Sequence, residues 1–257
     1  MSPRTDKLET SLRNLRRWNM AVGLAHLVQA VMILALSNDF AIPVQVRIQN
    51  GPPGTPLDQP SSAFHLGFGP VIAAFLIIAA IDHLATATIA RPAYERQLLR
   101  GINPFRWLEY SISASLMVIL IGALVGITDL YAVIALFGVN ASMILFGWLM
   151  ERMNSSNETV TWWPFAFGCV AGIVPWIAIT VALWWSQTKG DGVPGFVYGI
   201  FVSLFLFFNS FALNQWLQYR RRGRFADYLY GEKVYLVLSL SAKSALAWQV
   251  FAGALAT

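Results

Sequence analysis

The sequence has little charge and almost no cysteine. Only 12% of its 257 residues are Asp, Glu, Lys or Arg, and 56% are hydrophobic, whereas a typical soluble domain has about 25% charged and about 45–50% apolar residues. Cys169 is the single cysteine, so no internal disulfide can form, and neither a CxxC nor a Cys/His metal-binding spacing occurs. These absences exclude a disulfide-stabilised or zinc-stabilised domain and indicate a protein that is surrounded by lipid.

Seven hydrophobic stretches are long enough to cross a bilayer as helices, which requires roughly 20 mostly apolar residues. Because the first of them follows a long polar segment, unlike a cleaved signal peptide, we expect it to be retained. The pattern predicts an all-α, seven-helix bundle that forms one membrane domain over residues 1–257. The predicted spans are about 15–37, 64–90, 103–126, 130–150, 161–186, 194–218 and 231–255.

Lys and Arg residues are concentrated on one side of the predicted membrane. Of the 18, fifteen lie on the side of the N-terminus, Arg47 and Lys189 lie on the other side, and Lys243 lies inside the last span. Short loops rich in Lys and Arg stay in the cytoplasm, so we expect a multi-pass protein of the cell membrane with its N-terminus inside and its C-terminus outside. The basic loops are expected to contact lipid headgroups, and nucleic acid is not an expected partner.

The loop over residues 38–63 combines a strand pattern with a turn signal. Residues 43–48 include β-branched side chains and alternate in polarity, and Asn50-Gly51 follows them. Such a dipeptide after a strand is a strong hairpin signal. The loop is predicted to form a small extracellular β-hairpin between the first two helices, with a disordered, proline-rich loop as the alternative.

Lys243 lies near the middle of the last predicted span. It follows Lys233 at the inner edge by ten residues, which places it ~15 Å deep at a rise of about 1.5 Å per residue. A charge at such a depth costs about 2.5–3.5 kcal/mol on insertion scales, so it requires a purpose. Lys243 could form a structural ion pair, serve transport, or act as a neutral amine that condenses with an aldehyde to a Schiff base.

Glu109 and Asp82 are the other charged candidates within the spans. Glu109 follows Arg106 by three residues, so both share one face of the third helix, and its depth of ~9–12 Å brings it near the level of Lys243. We expect Glu109 to pair with the buried lysine, and a local pair with Arg106 near the interface is the alternative. The residues alone assign Asp82 no partner.

Two histidines, His26 and His83, are expected at similar depth on the neighbouring first and second helices. A lone histidine in a bundle is more often a satisfied core residue, but two at one level favour a shared polar pocket, with Ser239 as a further polar partner. Aromatic residues at middle depth would suit a flat apolar ligand or simply pack the bundle. They include Trp176, Phe208 and Trp248.

Several longer stretches carry a resemblance to a known family. They are FRWLEYSISAS, FGVNASMILFGW, CVAGIVPWI, VPGFVYGI, LFLFFNSFAL and VLSLSAKSALAWQ, together with NDFAIPV and NGPPGT in the first external loop. These strongly resemble heliorhodopsins, which are rhodopsin-like retinal proteins with an inverted membrane orientation. The similarity covers nearly the entire chain, and the inside N-terminus that the charges predict agrees with it.

The resemblance implies an all-trans retinal bound to Lys243 as a protonated Schiff base, with Glu109 as the counterion and a homodimer as the assembly. Ser239 takes the position where pump-type rhodopsins have a second carboxylate. The implied Schiff-base cavity includes His26, His83, Ser239 and Arg106. The implied retinal contacts are Tyr110, Asn140, Met143, Trp176, Phe208 and Trp248.

The expected function is light sensing without ion pumping. A proton pump of the familiar kind needs a donor carboxylate about three turns past the counterion, but residues 116–125 contain no ionisable group. A light-gated channel or transporter is the alternative. The polar segments are too short for an attached catalytic domain, so we expect no enzyme activity and an output through a cytoplasmic partner.

Overall fold

The computed structural model describes residues 3–155 and 159–256, which form a helical bundle with one small sheet. The long helices are α1 (Pro3–Leu36), α2 (Phe68–Ala87), α4 (Pro104–Leu124), α5 (Leu130–Asn154), α6 (Trp163–Lys189), α7 (Gly195–Tyr219) and α8 (Tyr228–Val250). A short helix, α3 (Arg91–Leu98), joins α2 to α4, and strands β1 (Ala41–Val46) and β2 (Ser61–Gly67) join α1 to α2. A 3₁₀ turn (Gly223–Ala226) precedes α8, and a π-helical turn (Phe251–Leu255) follows it.

The prediction of seven membrane spans is confirmed. Among the residues described, seven helices are long and apolar enough to cross a membrane. The second span was placed too early, because residues 64–67 belong to β2 and the helix begins at Phe68. The short helix α3 was not predicted; its first turn contains Pro92, and an ion pair of 2.6 Å joins Arg91 to Glu95 one turn later.

A β-hairpin between α1 and α2 is confirmed, but its predicted turn is wrong. The strands are antiparallel, with Ala41 opposite Gly67 and Val46 opposite Ser61. Asn50-Gly51 therefore lies inside a long connection over residues 47–60 rather than at a two-residue turn. The second strand was hidden because its residues continue directly into the apolar run of α2.

The hairpin is fixed on the bundle by a buried apolar contact. Val44 is buried and packs with Ile119 of α4 and Val133 of α5, and the Gln45 N–H donates to the Thr128 carbonyl at 2.8 Å. These contacts hold the hairpin over the turn between α4 and α5. We call this end of the bundle the hairpin end and the opposite end, which carries α3, the α3 end.

Three of the helices, α4, α5 and α8, start at polar side chains that accept backbone hydrogen bonds. Asn103 accepts from the Arg106 N–H at 3.2 Å and is followed by Pro104 in the first turn of α4. Asp129 accepts from two N–H groups at the start of α5, and Asp227 accepts from one at the start of α8. Gly126, at φ 88°, provides the left-handed residue that the tight α4–α5 turn requires.

The interior of the bundle divides along its axis into an apolar half and a polar half. The hairpin half contains the largest buried apolar cluster, in which Phe75, Leu120 and Leu246 have no exposed surface. Buried charged groups occupy the α3 half, among them Arg106 and Glu232. Lys243 and Glu109 lie where the two halves meet, so the polar half can approach the lysine while the apolar half closes the other side.

Candidate functional site

Lys243 of α8 is buried against a carboxylate of α4. Its Nζ lies 3.2 Å from Oε1 and 3.3 Å from Oε2 of Glu109, and it donates to Ser239 Oγ at 2.9 Å. Ser239 is one helical turn before Lys243, so both side chains point to the same face of α8. All three side chains are nearly inaccessible to solvent. The structure thus brings together the lysine, the carboxylate and the serine that the sequence singled out.

Tyr110, next to Glu109 on α4, forms another wall of this site. Lys243 Nζ lies 4.7 Å from the centre of the Tyr110 ring, which is within the range of a cation–π contact. The Tyr110 hydroxyl donates to the main-chain carbonyl of Tyr235 on α8 at 3.1 Å. The Tyr110 ring therefore contacts Lys243, and the Tyr110 hydroxyl is bonded to α8, the helix that carries Lys243.

His26 of α1 and His83 of α2, the two histidines of the predicted polar pocket, lie face to face. Their ring centres are 5.8 Å apart and the planes differ by 11°. His83 Nδ1 lies 2.9 Å from Asn19 Oδ1. Both ring nitrogens of His26 and Nε2 of His83 are buried without a hydrogen-bond partner among the described residues. Asp82 is at the edge of this group, with Oδ2 3.9 Å from His83 Nδ1.

Arg106 does not pair with Glu109, although both share a face of α4. Its Nη2 donates to Glu151 Oε1 of α5 at 2.5 Å, and its Nη1 donates to Glu232 Oε1 of α8. The guanidinium also lies over the ring of Tyr235, 3.7 Å from its centre. The alternative of a local Arg106–Glu109 pair is therefore wrong, because two other carboxylates reach the arginine from neighbouring helices.

Glu151 is the most fully hydrogen-bonded carboxylate of this network. Its Oε1 accepts from Arg106 and, at 3.1 Å, from the Tyr228 hydroxyl. Its Oε2 accepts from the Asn103 main-chain N–H at 2.8 Å and from Trp107 Nε1 at 2.6 Å. Four donors from α4 and α8 converge on one side chain of α5, so Glu151 ties three helices together at the α3 end.

The sequence interpretation missed Glu151 and Glu232 as buried groups. Each lies at the end of an apolar run, where a carboxylate is expected to reach the aqueous interface, yet both are at most 2% exposed. Their burial depends on α4, which places Arg106 and Asn103 between them; Asn103 Nδ2 donates to Glu232 Oε2 at 2.6 Å. One signal in the sequence was available. Arg106 lies at the start of a span in which Glu109 is the single acidic residue, so any further carboxylate partner of Arg106 had to come from another helix.

One cavity adjoins the lysine, and a second, larger one lies next to that cavity. The small one of about 50 Å³ is lined by Lys243, Ser239 and Tyr110, and the larger one of about 380 Å³ extends between α5, α6 and α7. The two share four apolar lining residues, so they lie next to each other. The shared residues are Met143, Ile144, Phe208 and Phe211.

Comparisons with known proteins agree with this architecture. A family model described as heliorhodopsin matches residues 15–255. The chain belongs to the heliorhodopsin family. No curated protein sequence matches it.

Solved rhodopsin structures share the fold. The transmembrane domain of the rhodopsin phosphodiesterase of Salpingoeca rosetta superposes with a TM-score of 0.67 at 14% identity, covering 98% of this chain and 88% of that one. A light-driven proton pump of Leptosphaeria maculans gives 0.66 at 16% identity, with 93% and 95% covered. At these identities the likeness establishes the fold and leaves the activity open.

Membership of the heliorhodopsin family implies a retinal chromophore, and the cavities fit one. Ligand pockets usually measure about 300–1,000 Å³ and are lined by apolar and aromatic groups with few polar ones. The larger cavity has that size and lining, with Trp176, Phe205 and Phe208 on its walls, and the smaller, neighbouring one is lined by Lys243. A long apolar molecule with one reactive polar end matches this shape.

The predicted retinal contacts divide into two groups in this heliorhodopsin. Tyr110, Met143, Trp176 and Phe208 line the cavities. Asn140 and Trp248 lie outside both linings. Asn140 Nδ2 donates to Ser115 Oγ at 3.1 Å, and Trp248 Nε1 donates to Gln29 Oε1 of α1 at 3.0 Å, so both side chains are engaged between helices.

Proposed function

We propose that this heliorhodopsin is a light sensor in which Lys243 carries all-trans retinal and Glu109 is the counterion. The observation that carries the proposal is the position of Lys243, which is buried, bonded to Glu109 and Ser239, and lines a cavity next to a larger aromatic pocket. A lysine that served structure alone would need the carboxylate but not the cavity. Condensation of the amine with the retinal aldehyde forms the imine and releases one water.

Retinal, when bound, would supply absorption of visible light and isomerisation about a double bond. Glu109 would stabilise the positive imine nitrogen, because an opposite charge within a few ångströms favours the charged form in a low-dielectric site. Ser239 Oγ, at 2.9 Å from Nζ, can accept a hydrogen bond from the same nitrogen. Trp176 and Phe208 would confine the far end of the chromophore.

Sensing is favoured over pumping by the chemistry of the hairpin half. Transport of a proton requires ionisable groups between Lys243 and both membrane surfaces. On the α3 side these exist, namely Glu109, His26, His83 and Asp82. On the hairpin side they do not: no Asp, Glu, His, Lys or Arg occurs in residues 27–36, 68–81, 110–124, 130–150, 163–188, 195–219 or 244–255.

The proposed location is the cell membrane, with the N-terminus and the α3 end in the cytoplasm. The distribution of Lys and Arg supports this orientation, and it places the hairpin outside the cell. We propose that the protein is a homodimer, that its basic loops contact lipid headgroups, and that a cytoplasmic partner receives the signal. Light would then act through a change in the α3 end and not through catalysis.

Reconstitution with retinal tests the attachment site. Purified protein supplied with all-trans retinal should acquire a visible absorption band, and Lys243→Ala should remain colourless. Lys233→Ala is the matched control, because Lys233 lies on the same helix but over the Trp18 ring at the α3 end; it should remain coloured. A coloured Lys243→Ala variant with covalently bound retinal would overturn the assignment.

A further inference from the structure

Tyr110 lies between two chemically different cavities. One is the small cavity of Lys243, which it lines together with Ser239 and Phe208. The other is a polar cavity of about 10 Å³ toward the α3 end, lined among others by Asp82, His83 and Arg106. Within the described chain, Tyr110 is the one residue that lines both of these cavities.

The Tyr110 side chain is fixed at both ends. Its hydroxyl donates to the Tyr235 carbonyl at 3.1 Å, and its ring packs edge-on against Phe211 of α7 with 5.3 Å between centres. The residue is 4% exposed. The bonded carbonyl is four residues before Ser239, so the hydroxyl reaches α8 one turn before the serine that holds Lys243.

Tyr235, whose main-chain carbonyl accepts the hydrogen bond from Tyr110, also contacts Arg106. The Tyr235 ring lies beneath the guanidinium, which is itself held by Glu151 and Glu232. The position of the Tyr110 hydroxyl therefore depends on the charged network of the α3 end. The Tyr110 ring, which lines the polar cavity of this network, lies 4.7 Å from Lys243 Nζ.

We propose that Tyr110 is a positioning residue that separates the polar cavity from the lysine cavity and limits the access of water and small polar molecules to Lys243. The ring forms the barrier, and the hydrogen bond to Tyr235 keeps it closed. In the retinal-bound protein this proposal rests on the proposed function, since the protected group is then the imine. The barrier controls access to Lys243 itself, so the proposal also applies to the protein without retinal.

Two phenylalanine variants of the full chain separate the barrier from general packing. Tyr110→Phe keeps the ring and removes the anchoring hydroxyl. Tyr235→Phe also removes one buried hydroxyl, but the bond from Tyr110 survives because its acceptor is the main-chain carbonyl. A packing effect would alter both variants alike, whereas the proposed barrier is weakened in Tyr110→Phe alone.

The first measurement is the rate at which hydroxylamine bleaches the retinal-bound protein in the dark. Hydroxylamine attacks the imine carbon, releases retinal as its oxime and returns the amine of Lys243, so the rate reports access to the imine. We expect bleaching of Tyr110→Phe to be about fivefold faster than wild type, the ratio that corresponds to one net buried hydrogen bond, with Tyr235→Phe unchanged. Equal rates in all three proteins, or equal acceleration in both variants, would overturn the proposal.

The second measurement uses the protein without retinal and does not depend on the proposed function. Formaldehyde with cyanoborohydride methylates accessible lysines, and peptide mass spectrometry gives the rate at Lys243, with Lys233 as the internal reference. Lys243 should react faster in Tyr110→Phe than in wild type or Tyr235→Phe. If no protein binds retinal, the proposed function fails while this comparison still decides the barrier. If Tyr110→Phe does not accumulate, the same measurement is made on Tyr110→Leu. A methylation rate of Lys243 equal to that of wild type would then reject the barrier.

Discussion

The amine of Lys243 and the carboxylate of Glu109 face each other across α8 and α4, with 3.2 Å between Nζ and Oε1. Both groups are buried, so removing one of them leaves the other without its charged partner. A buried charge that loses its partner is strongly disfavoured. A substitution of Glu109 would therefore leave the lysine nitrogen without its contacting carboxylate.

Glu109→Gln should change the colour of the retinal-bound protein. Without the carboxylate, the imine nitrogen either keeps its proton with a strong shift of absorption to longer wavelength or loses its proton at neutral pH. Absorption spectra across pH measure this directly. Asp82→Asn is the comparison, because Asp82 has its nearest ionisable contact at His83 and should have a smaller effect. An unchanged spectrum for Glu109→Gln with a large shift for Asp82→Asn would exchange the two roles.

Glu151→Gln should destabilise the protein. It replaces an anion that accepts four hydrogen bonds and leaves Arg106 with one carboxylate, and breaking a buried pair typically costs about 3–5 kcal/mol. The thermal unfolding midpoint in detergent measures the loss. Glu95→Gln, which removes a partly exposed pair on α3, should cost less than about 1 kcal/mol. Similar midpoints for the two variants would show that the Glu151 network contributes little stability.

Hydrophobic length and charge distribution were sufficient to predict the bundle, because each span must satisfy its backbone within the bilayer. The Lys243–Glu109 contact was also predictable, since two charges at one depth in lipid have few other partners. The Arg106 network was not, because it depends on which helices are neighbours at the α3 end. Helical spacing placed Arg106 beside Glu109 on α4, but the carboxylates that bind it come from α5 and α8.

The membrane orientation is testable with terminal tags on intact cells. A tag at the C-terminus should be accessible to a protease or an antibody, while a tag before Arg4 should become accessible only after lysis. The reason is that Lys and Arg side chains resist translocation and fifteen of the 18 lie on the side of the N-terminus. Accessible N-terminal tags and protected C-terminal tags would reverse the proposed orientation.

Illumination should cause no net proton transport. Phe75, Leu120 and Leu246 in the hairpin half have no exposed surface, and the helix segments 68–81, 110–124 and 244–255 contain no Asp, Glu, His, Lys or Arg. A proton that leaves the lysine nitrogen in the light is therefore expected to move toward the α3 half and to return from it.

Cells that express the protein with retinal should accordingly show no sustained, uncoupler-sensitive change in external pH and no steady photocurrent at zero voltage. A known light-driven proton pump in the same cells gives the positive control, and Lys243→Ala gives the background. A transient signal that decays within one photocycle agrees with exchange inside the α3 half, because charge moves part of the way and comes back. A reproducible, light-driven pH change that Lys243→Ala abolishes would require a proton path through the apolar half and would replace the sensor with a transporter.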